Sequence, residues 1–151
     1  MSVADRLKEL GIELPVVTPV AIYKPAVRTG NFVFVSGQLP LVDGKVTVTG
    51  RLGARVSITD GKAAARQCAI NALAAAHHLL GTLEGTRVIR TVGYVASAPE
   101  FFDQPAVVNG ASELLRDVFG PEDGVGARTS IGLMSLPLNA PVEVELLLEV
   151  K

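Results

Sequence analysis

The sequence predicts an α+β fold for a single domain over residues 1–151: a mostly antiparallel sheet with two helices packed on one face. Three observations point there. Two long helical stretches alternate with strand-like segments instead of forming a block of their own. The strand-like segments are rich in Val, Ile and Phe and are bounded by Gly, Pro or Asn. The final segment, PVEVELLLEV (141–150), alternates in the way that gives a sheet two unlike faces.

Each element follows from its own signal. Val3, Leu7 and Leu10 fall at helical spacing, and Gly11 stops that short helix. A Pro-containing extended stretch, ELPVVTPVAIYKP (13–25), follows, and residues 1–20 read as an N-terminal extension of the domain. NFVFVS (31–36) reads as a strand closed by Gly37 and Pro40. LVDGKVTVTG (41–50) carries an Asp-Gly turn between short apolar runs, which predicts a hairpin or an irregular β-excursion. An Ala-rich helix starts at Thr59 or Asp60, either of which can cap it, and ends at Gly81. Ile70, Leu73, Ala74 and His77 form its stripe. RVIRTVGYVAS (87–97) is a long buried strand, and a second helix runs from Pro105 to Phe119. A loop with Pro121, Gly124 and Gly126 leads to two last strands, 129–136 and 141–150, joined by a tight turn at PLNA as a hairpin. In the last one Val142, Val144, Leu146, Leu148 and Val150 face the helix-covered core. Glu143, Glu145, Leu147 and Glu149 face the other way, a mixture that suits either water or a second subunit.

Composition narrows the function. With 151 residues and 48% apolar content, the chain can bury roughly two-thirds of its unfolded surface without metals or disulfides. Net charge is −1, from 14 basic and 15 acidic residues, and no basic block exceeds two residues, so no footprint for a phosphate backbone is present. Aromatics are 5% with no Trp, which leaves no stacking platform for single-stranded nucleic acid. Nothing at the start reads as a signal peptide, and the longest apolar stretch is broken by Asn71, His77 and His78. A cytoplasmic protein without membrane contact is expected.

No metal constellation or cofactor motif appears. His77 and His78 are adjacent on a helix and diverge by about 100°, so they are no ligand pair; one is expected on the core and one at the surface. Cys68, mid-helix, reads as a small buried apolar group. The glycines do not open a helix after a strand, as a dinucleotide or phosphate loop requires, and GASEL (110–114) holds no nucleophile elbow. What remains is a set of single polar residues near strand ends: Arg128, Glu143, Tyr23 and Asn109. Arg128 and Glu143, on the two strands of the expected hairpin, equally suit a cross-strand ion pair. Tyr23 suits a core edge and Asn109 a solvated helix face.

Two segments carry a family resemblance. GNFVFVSGQLP (30–40) and ARTSIGLMSLPLNAPVEVE (127–145) are similar to the first core strand and the C-terminal signature of the Rid, or YjgF-like, family of imine and enamine deaminases. The likeness runs over about residues 20 to 150. It implies a chorismate-mutase-like fold and a homotrimer whose subunits pack their helix-free faces together, leaving clefts between neighbours. By position it implies that Arg128 grips a substrate carboxylate and Glu143 orients the attacking water. Tyr23, Asn109, Ser36 and Gly37 would line the cleft, and Ser130 stands where many members carry Cys. YKPAVRTG in place of a GPY-type segment, the longer excursion from Leu41 to Asp60, and residues 1–20 mark a longer, divergent branch.

The resemblance implies hydrolysis of small 2-imino or enamino acids to 2-oxo acids and ammonia, with no cofactor. The chemistry is modest: the imine carbon is already electrophilic, so an arginine that holds the carboxylate and a glutamate that takes a proton from water suffice. Two alternatives stand beside it. One is a non-catalytic trimeric module that binds a small carboxylate such as a 2-oxo acid. The other is an endoribonuclease, against which the missing basic patch and general-base histidine count.

Overall fold

The computed structural model describes residues 1–18 and 21–151, so Pro19 and Val20 of the expected extended stretch lie outside the described residues. In chain order the elements are α1 (Val3–Glu9), β1 (Ala26–Thr29), β2 (Phe32–Gln38), β3 (Leu41–Val42), β4 (Lys45–Val46), α2 (Ile58–Leu80), β5 (Thr86–Ala96), α3 (Gln104–Phe119), β6 (Ala127–Leu133), a 3-10 turn at Pro137–Asn139, and β7 (Val142–Val150). The short first helix and the two long ones stand where the sequence predicts them, and the mostly antiparallel sheet is mixed by one parallel pair.

Local chemistry sets most boundaries. Ser57, rather than Thr59 or Asp60, caps α2: its hydroxyl accepts from the Asp60 N–H, so the helix begins one to two residues early. Gly81 closes α2 at φ 77°, where a side chain would strain. Asp43 and Gly44, at φ 50° and 76°, make the tight turn between β3 and β4 that the Asp-Gly pair predicts. Strand β1, hidden in sequence among prolines, pairs antiparallel with β2 in register Ala26↔Val35 to Thr29↔Phe32. Ser2 and Asp5 form a capping box on α1. Among the described residues no helix is long and apolar enough to cross a membrane.

The main sheet has the order β1-β2-β7-β5-β6. Pairs β1–β2, β2–β7 and β7–β5 are antiparallel; β5–β6 is parallel. The expected hairpin of the last two strands is therefore absent. Strand β5 lies between β6 and β7, and residues 134–141 bridge over its end. A strand buried on both sides prefers an interior place to an edge, and β5 carries the apolar run to fill one.

Helices α2 and α3 cover one face, α2 over β2 and β7, α3 over β5 and β6, with α1 packed on α3. The alternation read in β7 holds. Val142, Val144, Leu146 and Leu148 are buried against Leu73, Val107 and Leu115 of the helices. Cys68 is buried among them, its thiol 3.5 Å from the Val142 carbonyl oxygen, and burial pushes that thiol well above its ordinary pKa. His77 and His78 are both exposed in the last turn of α2, so neither joins the core. There their rings stand near the negative end of the helix dipole. On the helix-free face Val27, Phe32, Phe34 and Ile131 are exposed, with Phe34 about half so at 52%.

Candidate functional site

The predicted site residues separate into two groups. Arg128 pairs in register with Thr91, and Glu143 pairs with Tyr94, both on β5. Positions 91 and 94 are an odd number of residues apart, so their partners project from opposite faces of the sheet. Two strand spacings and three residues put the two Cα atoms about 14 Å apart. Arg128 and Glu143 are therefore neither strand neighbours nor an ion pair. This corrects the hairpin reading, and its cause is the insertion of β5.

The first group lies where the start of β6 meets α3. Arg128 Nη1 donates to Asn109 Oδ1 at 2.7 Å and to Ser112 Oγ at 3.2 Å, and Nη2 to the Pro105 carbonyl oxygen at 3.5 Å. All three acceptors are neutral. Among the described residues no carboxylate comes within ion-pair distance of the guanidinium. The side chain is thus oriented without being neutralised, which leaves its full charge for an anion. Beside it a half-open recess of ≈ 190 Å³ is lined by Thr91, Ser112, Val125, Arg128 and the backbone of Gly124 and Gly126. Ser130 follows two residues along β6 on the same face. Its hydroxyl is buried and has no partner among the described residues, an unspent donor and acceptor.

The second group lies where β2 approaches β7. A bulge between Val35 and Gln38 takes Ser36 and Gly37 out of register with β7. Ser36 Oγ donates to the Lys24 carbonyl oxygen at 2.6 Å, and its N–H donates to the Pro25 carbonyl oxygen at 2.9 Å. These two bonds tie the segment after Tyr23 to the bulge and leave the tyrosine itself exposed. Gly37 faces Glu143: a Cβ there would overlap Glu143 Oε1, so the glycine is what leaves room for the carboxyl. No donor among the described residues is paired with that carboxyl.

Burial, and then the Glu145 charge on the same strand face, raise the Glu143 pKa above the ordinary carboxylate value. A raised folded-state pKa means the folded form holds its proton more tightly than the unfolded chain. Stability from this group is complete below the ordinary glutamate pKa and is lost as pH rises through the raised one. Glu143→Gln is expected to remove that loss. Its urea midpoint should exceed wild type at pH 7 and converge with it at acid pH, measured by denaturation at several pH values. Glu145 itself accepts from the Tyr94 hydroxyl at 3.0 Å, and burial followed by this carboxylate pushes the Tyr94 pKa up.

Ser112 is the residue that sequence reasoning missed. The signal was available, since it follows Asn109 by three positions on one helix and so shares its face. Among the described residues no cluster of three His, Cys, Asp or Glu side chains is set to hold a metal ion.

Comparison with known proteins matches this geometry to a family. Residues 4–150 fit the model described as "YjgF/chorismate_mutase-like, putative endoribonuclease". The chain is 43% identical over 149 residues to Protein TCP17 of Trypanosoma cruzi, covering 97% of this chain and 93% of that one. It is 45% identical to the Agrobacterium tumefaciens protein Atu1372, of unknown function, with a TM-score of 0.91 and coverage of 99% and 92%. A Shewanella oneidensis structure described as "a putative endoribonuclease" superposes with a TM-score of 0.93 at 32% identity, covering 99% of each chain.

Proposed function

Because the chain belongs to the YjgF/chorismate-mutase-like family, we propose that it hydrolyses small 2-imino or enamino acids to 2-oxo acids and ammonia, in clefts between copies of a homotrimer. The observation that carries this reading is the Arg128 guanidinium, held by neutral oxygens beside an open recess with its charge unspent. Such a fork is matched to a planar carboxylate.

The division of the site residues supports the assembly. One chain presents Arg128, Asn109 and Ser130 at one place and Tyr23, Ser36, Gly37 and Glu143 at another. A cleft with both sets takes one from each of two neighbouring copies. The exposed Val27, Phe32 and Phe34 on the helix-free face would supply the apolar contact between them.

In this reading Arg128 fixes the carboxylate and so the imine carbon. Glu143 of the neighbouring copy takes a proton from water as its oxygen bonds to the carbon of the protonated imine, forming a carbinolamine. The same carboxyl then returns that proton to the nitrogen, and as the carbon–nitrogen bond breaks it takes up the carbinolamine hydroxyl proton, releasing ammonia and the 2-oxo acid. A carboxyl with a raised pKa is suited to both halves of that transfer.

The non-catalytic carboxylate-binding module needs only Arg128, so Glu143 separates the two readings. Ammonia release from enzymatically generated 2-aminoacrylate and from a bulkier imino acid should be lost in Glu143→Gln while 2-oxobutanoate binding survives. Sizing should give three times the 15.8 kDa chain mass. Co-assembling Arg128→Ala with Glu143→Gln chains should restore turnover that neither has alone. Binding without turnover in the wild type would favour the module, and an active monomer would overturn the shared cleft.

A further inference from the structure

The three oxygens that hold Arg128 come from positions 105, 109 and 112 of α3, four and then three residues apart. That is the spacing of one helical stripe, so α3 presents a row of neutral acceptors along the guanidinium. Nη1 carries two hydrogens and meets two acceptors, Asn109 Oδ1 and Ser112 Oγ, which saturate it. Nη2 spends one hydrogen on the Pro105 carbonyl oxygen. What stays free is Nε–H and one hydrogen of the adjacent Nη2, two neighbouring donors that a carboxylate can meet.

From this count we propose that Ser112 is a positioning residue: with Asn109 it locks Nη1 of Arg128 so that a ligand carboxylate is received on the Nε–Nη2 edge. The inference rests on the proposed carboxylate site and adds to it the residue that aims the arginine. Ser112 does this without charge. An acidic side chain in its place would pair with the guanidinium and spend the attraction that the ligand needs. Ser112 also lines the recess beside Arg128, so its hydroxyl stands between the arginine and any substituent the recess receives.

Two measurements test this on the full-length protein. Nitrogen-15 spectra of the arginine side chains report how fast the guanidinium rotates about its Cζ–Nε bond, with no ligand present. Wild type and Ser112→Thr should give separate Nη1 and Nη2 signals for Arg128, while in Ser112→Ala the two should average. In calorimetric titration with 2-oxobutanoate, Ser112→Ala should bind about 3- to 10-fold more weakly, the effect of one net hydrogen bond. Ser112→Thr should restore affinity, with the urea midpoint unchanged throughout. Separate Nη signals in Ser112→Ala, or unaltered affinity in that variant where the wild type binds, would overturn the proposal. Absence of binding in the wild type itself would instead sink the carboxylate reading, and with it the receiving edge; the lock on Nη1 would still be decided by the spectra.

Discussion

Arg128→Ala is expected to weaken binding of small 2-oxo acids by about 10²-fold and to cut any deaminase kcat/KM by at least as much, with little change in thermal stability. The magnitude comes from losing both arms of a charge-assisted pair, each worth about 1.5–3 kcal/mol at most and discounted here because the guanidinium is exposed. Stability is spared for a related reason. The Asn109 and Ser112 oxygens left behind lie at the surface and take water in place of the guanidinium, so the folded state gains no buried orphan. Arg128→Lys should fall between, keeping the charge and losing the two-pronged geometry. Equal affinity in wild type and Arg128→Ala, measured by calorimetry, would remove the arginine from the site.

Gly110→Ala should be the most damaging single-methyl change near the site. A Cβ at position 110 would lie inside van der Waals contact of the Lys62 carbonyl oxygen, with the Lys62 carbonyl carbon and Cα at 2.8 and 3.0 Å. These are backbone atoms of α2, so no rotamer can absorb the methyl and the two helices must separate. Alanine is the better helix former by about 1 kcal/mol. Forcing extra volume into a tight contact costs about 1–3 kcal/mol, and more where backbone must move. The clash should win, leaving a net loss of about 2 kcal/mol in urea denaturation. Gly61 offers the contrast. A Cβ there meets the ends of the Leu52 and Val107 side chains at 2.8 and 3.1 Å, which can shift, so Gly61→Ala should cost much less. Gly110 also neighbours Asn109 and precedes Ser112 by two residues. Its substitution should therefore loosen the hold on Arg128 and lower carboxylate affinity along with stability.

How far the sequence reaches is clear from particular residues. Strand β7 was legible because alternation is a local signal: four of its five inward residues are buried where expected, and Val150, at the strand's end, is partly buried against the core. The Asp43-Gly44 turn and the Gly81 cap were legible for the same reason: backbone chemistry acts within a few residues. The pairing of β6 was not. Nearness in sequence favours a hairpin between 129–136 and 141–150, and only the competition among strands for interior places in the sheet puts β5 between them. A hint existed in β5 itself, whose Val92 is buried even on the face that lacks helices. Strand β1 was hidden because Pro25 stands at its edge and only pairing with β2 makes it a strand. The site shows the same division. Arg128, Asn109 and Glu143 stood out as polar residues near strand ends and gained roles only through family resemblance, whereas the placing of Glu143 on the face opposite Arg128 is a product of topology.

The sheet order carries a consequence for synthesis on the ribosome. Strands β1 and β2 form one pair and β5 and β6 another, and the two pairs meet only through β7. Translation delivers β7 after all the other strands. Until residues 142–150 emerge, the nascent chain holds two half-sheets with open inner edges and an apolar helix face that has nothing central to cover. Pairing with sequence-distant segments closes the fold only at the end, so the growing polypeptide must be kept from joining those edges to other chains until its final strand arrives.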